Sequence, residues 1–130
     1  MSSAPGAPLP ARFAALLLAL EALALLALAG WQIVAMSGGD TAELPTAIAL
    51  LVFTILAAVG VGAFAYAVAR GRSWGRSGGV VTQLLILAVA LGALTGQYAH
   101  PLVALGLAVP GMVGLVLLMR AAKAAHRAAE

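Results

Sequence analysis

The sequence predicts an all-α integral membrane protein with four transmembrane helices, arranged as two antiparallel hairpins with both termini in the cytoplasm. Apolar residues make up 64% of the chain and charged residues only 8%, whereas soluble domains have roughly 45–50% apolar and about 25% charged residues. The apolar residues form long blocks, which favours helices over the alternating strands of an outer-membrane barrel. The basic residues all flank these blocks. Together these three observations define the fold class.

The first two spans follow from runs that are almost free of charge. Residues 13–36 contain Glu21 as their only charged residue, and a helix needs about 20 residues to cross roughly 30 Å of hydrocarbon. Residues 45–69 form the second run and begin with Pro45, which suits the first turn of a helix. Ahead of both, residues 1–11 are proline-rich without a hydrophobic period, which predicts a disordered tail.

The second half of the chain holds two further spans. No Asp, Glu, Lys or Arg occurs in the 43 residues between Arg76 and Arg120, and a single helix of that length would measure about 64 Å, roughly twice the bilayer. The glycine, polar residues and proline of segment 96–101 predict a break, which gives spans at 80–97 and 102–119. The predicted organisation is a disordered tail, a four-helix transmembrane domain and a basic cytoplasmic tail at 1–11, 12–120 and 121–130.

The distribution of charge predicts the orientation of the chain. The connection after the first span holds Asp40 and Glu43 and no cation. Cytoplasmic segments retain Lys and Arg during insertion, and the basic residues here lie before span one, between spans two and three, and after span four. Those three places share one side of the membrane. The residues predicted to anchor the chain to anionic lipids of a bacterial cytoplasmic membrane are Arg12, Arg70, Arg72, Arg76, Arg120, Lys123 and Arg127, with Trp31 and Trp74 at the two interfaces.

The first span has a second interpretation. An apolar run after Arg12 and the small residues at 27–30 are typical of a cleaved signal peptide. Cleavage would leave three spans and an external N-terminus. The run continues to Met36 and contains Glu21, whereas a signal core has roughly 7–15 apolar residues. We therefore favour an uncleaved span.

Glu21 is the candidate functional residue. An ionisable side chain inside the membrane costs about 2.5–3.5 kcal/mol on insertion scales and marks a proton or substrate site by default. Counted from the membrane surface, its depth matches Gly111 and positions 61–62. Pro110 leaves the carbonyl of Gly106 without its helical donor, so a neutral Glu21 could simply donate to that backbone. Glu21 is thus either a neutral packing residue or a site for protons and substrate.

Small residues predict where the helices pack. In lipid, small residues at every fourth position let helix backbones approach closely. Such residues on spans three and four predict a contact between these spans, and a weaker hypothesis assigns them to a contact with a second copy. They are Ala88, Gly92, Gly96, Gly106, Pro110 and Gly114. Thr82 and Gln83, near the start of span three, could form hydrogen bonds across helices, each contributing about 0.6 kcal/mol.

Several functional classes find no support in the sequence. The chain has no cysteine, so disulfides, thiolate metal sites and cysteine nucleophiles are excluded. His100 and His126 fall at opposite faces of the predicted bundle, so neither a metal site nor any other cofactor is predicted. Catalytic triads, phosphate loops and paired carboxylates are absent from the sequence, which predicts a non-enzymatic protein. The basic residues flank apolar spans and indicate lipid rather than nucleic acid.

Two resemblances bear on function. The Ala/Leu-rich spans, the loop RGRSWGRSGG and the following VVTQLLILAVALG, at 70–92, resemble small four-span integral membrane proteins of high-GC actinobacteria. This resemblance implies a fold and a location but no activity. A lone Glu21 in the first of four spans is also similar to the small multidrug resistance transporters. The aromatic residues that surround their glutamate are missing here, which disfavours that family.

These observations give a ranked set of functional predictions. The first is an accessory or assembly subunit, or a homo-oligomer, that acts through helix packing with a membrane-protein partner or a second copy. The second is a small proton-coupled exporter that uses Glu21. A pore-forming role, suggested by chain length and the basic tail, is third.

Overall fold

The computed structural model of the chain describes residues 8–39, 42–97 and 99–129, and this part is entirely α-helical apart from short connections. The helices are α1 (Leu9–Ser37), α2 (Leu44–Ala69), α3 (Ser73–Thr95) and α4 (Pro101–Ala129). Each is long and apolar enough to cross a membrane. The architecture is therefore that of a multi-pass membrane protein, as the hydropathy pattern predicts.

Three of the helices have boundaries that differ by more than one residue from those predicted. Helix α1 begins at Leu9, because Pro10 falls in the first turn, where its missing N–H is tolerated; residues 1–7 of the predicted tail lie outside the described residues, as does Asp40. Helix α3 begins at Ser73 rather than at residue 80 and ends at Thr95. Helix α4 continues to Ala129, so the basic segment extends the fourth helix.

The connection between α2 and α3 is a tight turn instead of the long loop predicted. Gly71 has a φ of 71°, in the left-handed region that favours glycine. The backbone N–H of Arg72 donates to the carbonyl of Ala67 at 2.9 Å, and Nη1 of Arg76 donates to the carbonyl of Gly71 at 3.1 Å. The remainder of the glycine-rich segment belongs to the first turns of α3.

Glycines in these turns bring α3 against α2. A Cβ atom at Gly75 would lie 2.7 Å from the backbone nitrogen of Val68, and one at Gly78 would collide with the ring of Phe64. The same phenylalanine packs edge-on against Trp74, with ring centroids 6.2 Å apart. Both glycines are thus positions at which a larger residue would force the helices apart.

The buried core occupies one end of the bundle, which we call the packed end. Leu18 and Leu118 are its largest apolar side chains and are at most 1% exposed. Both lie against Gly79, where an added Cβ would be 3.2 Å and 3.0 Å from them respectively. The core cluster consists mainly of alanine and valine: Ala11, Ala14, Leu18, Ala22, Val61, Ala65, Val68, Leu118 and Ala121. It joins the start of α1 to the ends of α2 and α4.

The helices form two extensive pairs. Helix α1 packs most extensively against α2, and α3 against α4, with smaller contacts from α2 to α3 and from α1 to α4. Beyond the packed end, the α1–α2 pair stays in contact through a hydrogen bond of 3.2 Å from Gln32 Nε2 to Thr54 Oγ1. In the α3–α4 pair, Leu87 lies 3.0 Å from where a Cβ of Gly111 would be. The looser contacts therefore lie between the two pairs.

Substituting Gly75→Ala should destabilise the protein. The added methyl group would collide with Ala67 and the Val68 backbone, and overpacking of this kind costs about 1–3 kcal/mol. The measurement is thermal unfolding of the purified protein in mild detergent. Gly30→Ala is the matched control, since nothing lies within 4 Å of its added Cβ and helix propensity alone should stabilise it by up to about 1 kcal/mol. Equal stabilisation by both substitutions would contradict the close approach of α2 and α3.

Candidate intramembrane site

The central polar contact joins Glu21 on α1 to Gln83 on α3. Gln83 Nε2 donates a hydrogen bond of 2.7 Å to Glu21 Oε1. Gln83 is 0% exposed and is the one fully buried polar side chain among the described residues, while Glu21 is half-buried. Interhelical hydrogen bonds in membranes contribute about 0.6 kcal/mol on average and up to roughly 1.7 kcal/mol. This bond ties the two helix pairs together next to the core.

Helix α4 provides the space that the amide of Gln83 occupies. A Cβ atom at Gly114 would lie 2.5 Å from Gln83 Oε1 and 2.6 Å from its Cδ, and 2.9 Å from Leu17 Cδ2. Any residue other than glycine would therefore displace the Gln83 side chain. Three helices build the site: α1 carries the carboxyl group, α3 the amide and α4 the glycine against which the amide rests.

Two oxygen atoms of this contact lack hydrogen-bond partners. Glu21 Oε2 and Gln83 Oε1 are both buried, and neither has a partner within the described residues. Burying a polar atom without a hydrogen bond costs about 1–3 kcal/mol, and more for a charged group. Such atoms in an otherwise well-packed core require a chemical explanation.

Glu21 also lines a large cavity between the helix pairs. The cavity has a volume of about 760 Å³ and is lined by residues of all four helices. Thr82 is the other polar side chain among its described lining residues, and its hydroxyl already donates to the carbonyl of Gly78 at 2.9 Å. The other lining residues are Ala24, Leu25, Leu28, Ala57, Gly60, Val61, Phe64, Val81, Leu85, Ile86, Val89, Gly106, Leu107 and Pro110. The site is thus an apolar cavity with one carboxyl group in its wall.

The hydrogen-bond partner of Glu21 differs from the one predicted. Gly106 and Pro110 line the same cavity as Glu21, which agrees with the predicted depth, but the hydrogen bond comes from Gln83 instead of involving the Gly106 carbonyl. The early start of α3 explains the difference. Glu21 lies nine residues after Arg12, and Gln83 lies ten residues after Ser73. Both side chains therefore lie at a similar height along the axis of the bundle. A helix that began at the predicted residue 80 would place Gln83 only three residues from its start, well short of the height of Glu21.

The predicted packing stripe on α3 faces away from α4 within the chain. Ala88, Gly92 and Gly96 are exposed, and nothing lies within 4 Å of a Cβ added to Gly92. The reason is helical geometry, since at about 100° per residue Gly92 points roughly 180° away from the buried Gln83. On α4, Gly106 is also exposed, Pro110 is half-buried and Gly114 is buried. The α3–α4 contact uses Gly114, which was predicted, together with Gly111, which was not, and nothing lies within 4 Å of a Cβ added to the predicted Gly106.

The predicted anchor residues lie at helix ends. The guanidinium of Arg70 stacks over the ring of Tyr66 at 5.2 Å, and Arg12 is exposed in the first turns of α1. Trp31 is 67% exposed and Trp74 is 48% exposed. A separate cavity of about 350 Å³ brings Pro10 together with three basic residues of α4, namely Arg120, Lys123 and Arg127. Their contact with lipid stays a prediction.

Comparison with known proteins adds no assignment. No protein-family model matches the chain, and no curated protein or solved structure is significantly similar to it. Within the described residues, no group of three or more His, Asp or Glu side chains is placed to hold a metal ion. Any functional interpretation therefore depends on the Glu21 site itself.

Gly114→Ala should disrupt the site, because the new methyl group would take the position of the Gln83 amide. We expect a loss of about 1–3 kcal/mol from overpacking, in addition to the weakened hydrogen bond to Glu21. Thermal unfolding in detergent measures the loss. Gly106→Ala on the same helix is the control, since its Cβ would meet nothing within 4 Å. If the two variants are equally stable, Gln83 does not rest against Gly114.

Proposed function

We propose that this protein is a small proton-coupled membrane carrier, which exchanges a proton on Glu21 for a small apolar molecule bound in the central cavity. The observation that carries the proposal is the position of Glu21, a single ionisable side chain in the wall of an apolar cavity that all four helices line. An intramembrane carboxyl group is costly, and such groups face interior cavities where they serve transport or proton transfer.

The cavity also supports this function over a purely structural role for Glu21. A residue that only joins helices needs no adjoining empty volume, whereas about 760 Å³ lies beside this one. Ligand sites for drug-sized molecules typically measure about 300–1,000 Å³ and combine apolar walls with a few polar groups. This combination fits an apolar ligand with one or two polar atoms and disfavours sugars and nucleotides.

We further propose the orientation that the charges predict. The four helices then form two antiparallel hairpins in the bacterial cytoplasmic membrane, with both termini in the cytoplasm. The proximity of Pro10 to Arg120, Lys123 and Arg127 supports it, because the start of α1 and the basic end of α4 then lie on the same side of the membrane. Each cation near an anionic surface contributes about 1 kcal/mol.

A packing role is the second candidate. Ala88 and Gly92 are exposed on the side of α3 that faces away from α4, and nothing lies within 4 Å of a Cβ added to Gly92. In lipid, small residues of this kind allow another helix to approach closely. An accessory subunit or a homo-oligomer would use this face of α3, with a membrane-protein partner or a second copy of the chain.

Glu21→Gln should abolish proton-driven transport without changing protein abundance. The amide is nearly the same size as the carboxylic acid but cannot release a proton. The assay is uptake of a panel of neutral and monocationic fluorescent amphiphiles into proteoliposomes under an imposed pH gradient. We expect at least a tenfold loss of gradient-dependent uptake, while the control Glu43→Gln, at an exposed residue before α2, should behave like the wild type.

Two outcomes would contradict the carrier proposal. Undiminished gradient-dependent uptake by Glu21→Gln would remove Glu21 from the mechanism. No uptake of any probe by the wild-type protein would instead favour the packing role.

The orientation can be tested by single-cysteine labelling, since the natural sequence contains no cysteine. Ser37 ends α1 and Ser73 begins α3, and both are exposed. In intact spheroplasts a membrane-impermeant maleimide should label Ser37→Cys, whereas Ser73→Cys should react only after permeabilisation. Reversed labelling would invert the proposed orientation.

A further inference from the structure

The unpaired oxygens of the site belong to two side chains that are already hydrogen-bonded to each other. Glu21 accepts at Oε1 and Gln83 donates from Nε2, which leaves Glu21 Oε2 and Gln83 Oε1 buried without partners in the described part of the chain. If the carboxyl group is ionised, both remaining oxygens are acceptors. Two unpaired acceptors in one buried contact are unfavourable.

We propose that Glu21 carries a proton on Oε2 in this conformation and forms a cyclic acid–amide pair with Gln83. A protonated carboxyl group offers one donor and one acceptor, and so does the facing edge of a primary amide. The N–H of Gln83 donates to Glu21 Oε1, and the O–H of Glu21 donates to Gln83 Oε1. One proton thereby provides partners for both unpaired oxygens.

The surroundings of the pair favour the neutral acid. Among the described residues that line the cavity from α1, α2, α3 and α4, Glu21 alone is ionisable, so none of these residues places a cationic side chain beside it. The lack of a side chain at Gly114 leaves room for the Gln83 amide against α4, and in this position the amide donates to Glu21 on α1. The pair is therefore an interhelical link that requires both a proton and a glycine.

Release of the proton would weaken this link. The proton passes to water that enters the cavity, the O–H donor is lost, and a carboxylate oxygen then faces the amide oxygen. Two facing acceptors repel, so the contact between α1 and α3 loosens next to the cavity. The existence of the pair is independent of transport, whereas its control over the cavity rests on the carrier function proposed above.

Infrared spectroscopy of the full chain in lipid nanodiscs tests the pair directly. Near neutral pH, the wild-type protein should show the C=O band of a protonated carboxylic acid, and Glu21→Gln should lack it. Gln83→Leu should shift the band to higher frequency, because the carbonyl loses the N–H donor from Gln83. Glu43→Gln is the control and should leave the band unchanged. A carboxylate signal alone for Glu21, or an unshifted band in Gln83→Leu, would overturn the proposal.

The pH dependence of the apparent Tm is a second test of the link between α1 and α3. It needs only the wild-type protein and Glu21→Gln, so it remains informative if Gln83→Leu fails to fold. The apparent Tm of the wild-type protein should fall as pH rises through the ionisation of Glu21, and Glu21→Gln should remove this fall. The same pH dependence in both proteins would overturn the link. If the C=O band of protonated Glu21 is present but no transport is detected, the acid–amide pair is supported and the carrier function is rejected. If transport is detected but the band is absent, the pair is rejected and the carrier function is supported.

Discussion

Close backbone approach at glycine is the constraint on which the rest of the structure depends. Apolar side chains gain nothing by leaving lipid for another helix, so van der Waals contact and a few hydrogen bonds must hold the bundle together. Gly75 and Gly79 bring α3 against α2 and the core leucines, and Gly114 accommodates Gln83. The buried hydrogen bond to Glu21 is possible only because these helices are so close.

The need for glycine or alanine where helices approach closely also explains why the bundle is well packed at one end and has a cavity next to that end. Glycine and alanine dominate the packed end, where the core cluster joins three of the helices. Farther along, larger side chains such as Leu28 and Leu85 line the space between the pairs, and the cavity forms there. Glu21 sits at the boundary between these regions, where it accepts a hydrogen bond from the buried Gln83 and also lines the cavity.

Hydropathy was sufficient to predict four helices that are long and apolar enough to cross a membrane, because the hydrophobic signal is averaged over long stretches of the chain and single residues change it little. Glycine was the main source of error. A segment with Gly71, Gly75, Gly78 and Gly79 looks like a loop by composition, yet only Gly71 has a positive φ, and the others are helical contact points. That misassignment displaced the start of α3, so Gln83 was predicted to form a hydrogen bond across helices but its partner, Glu21, was not. The helix face that Gly92 presents depends on tertiary packing, which spacing alone does not determine.

The short turn at Gly71 has a mechanical consequence. It joins the two helix pairs at the packed end, where the bond from Arg76 to the Gly71 carbonyl and the contact at Gly75 restrict relative sliding. These contacts favour a relative rotation of the two pairs about the packed end over a translation of one pair along the other. A small rotation about the packed end would become a larger displacement at the far ends of helices that extend about 40 Å. The cavity would then widen or narrow chiefly at the end that lies away from the packed end.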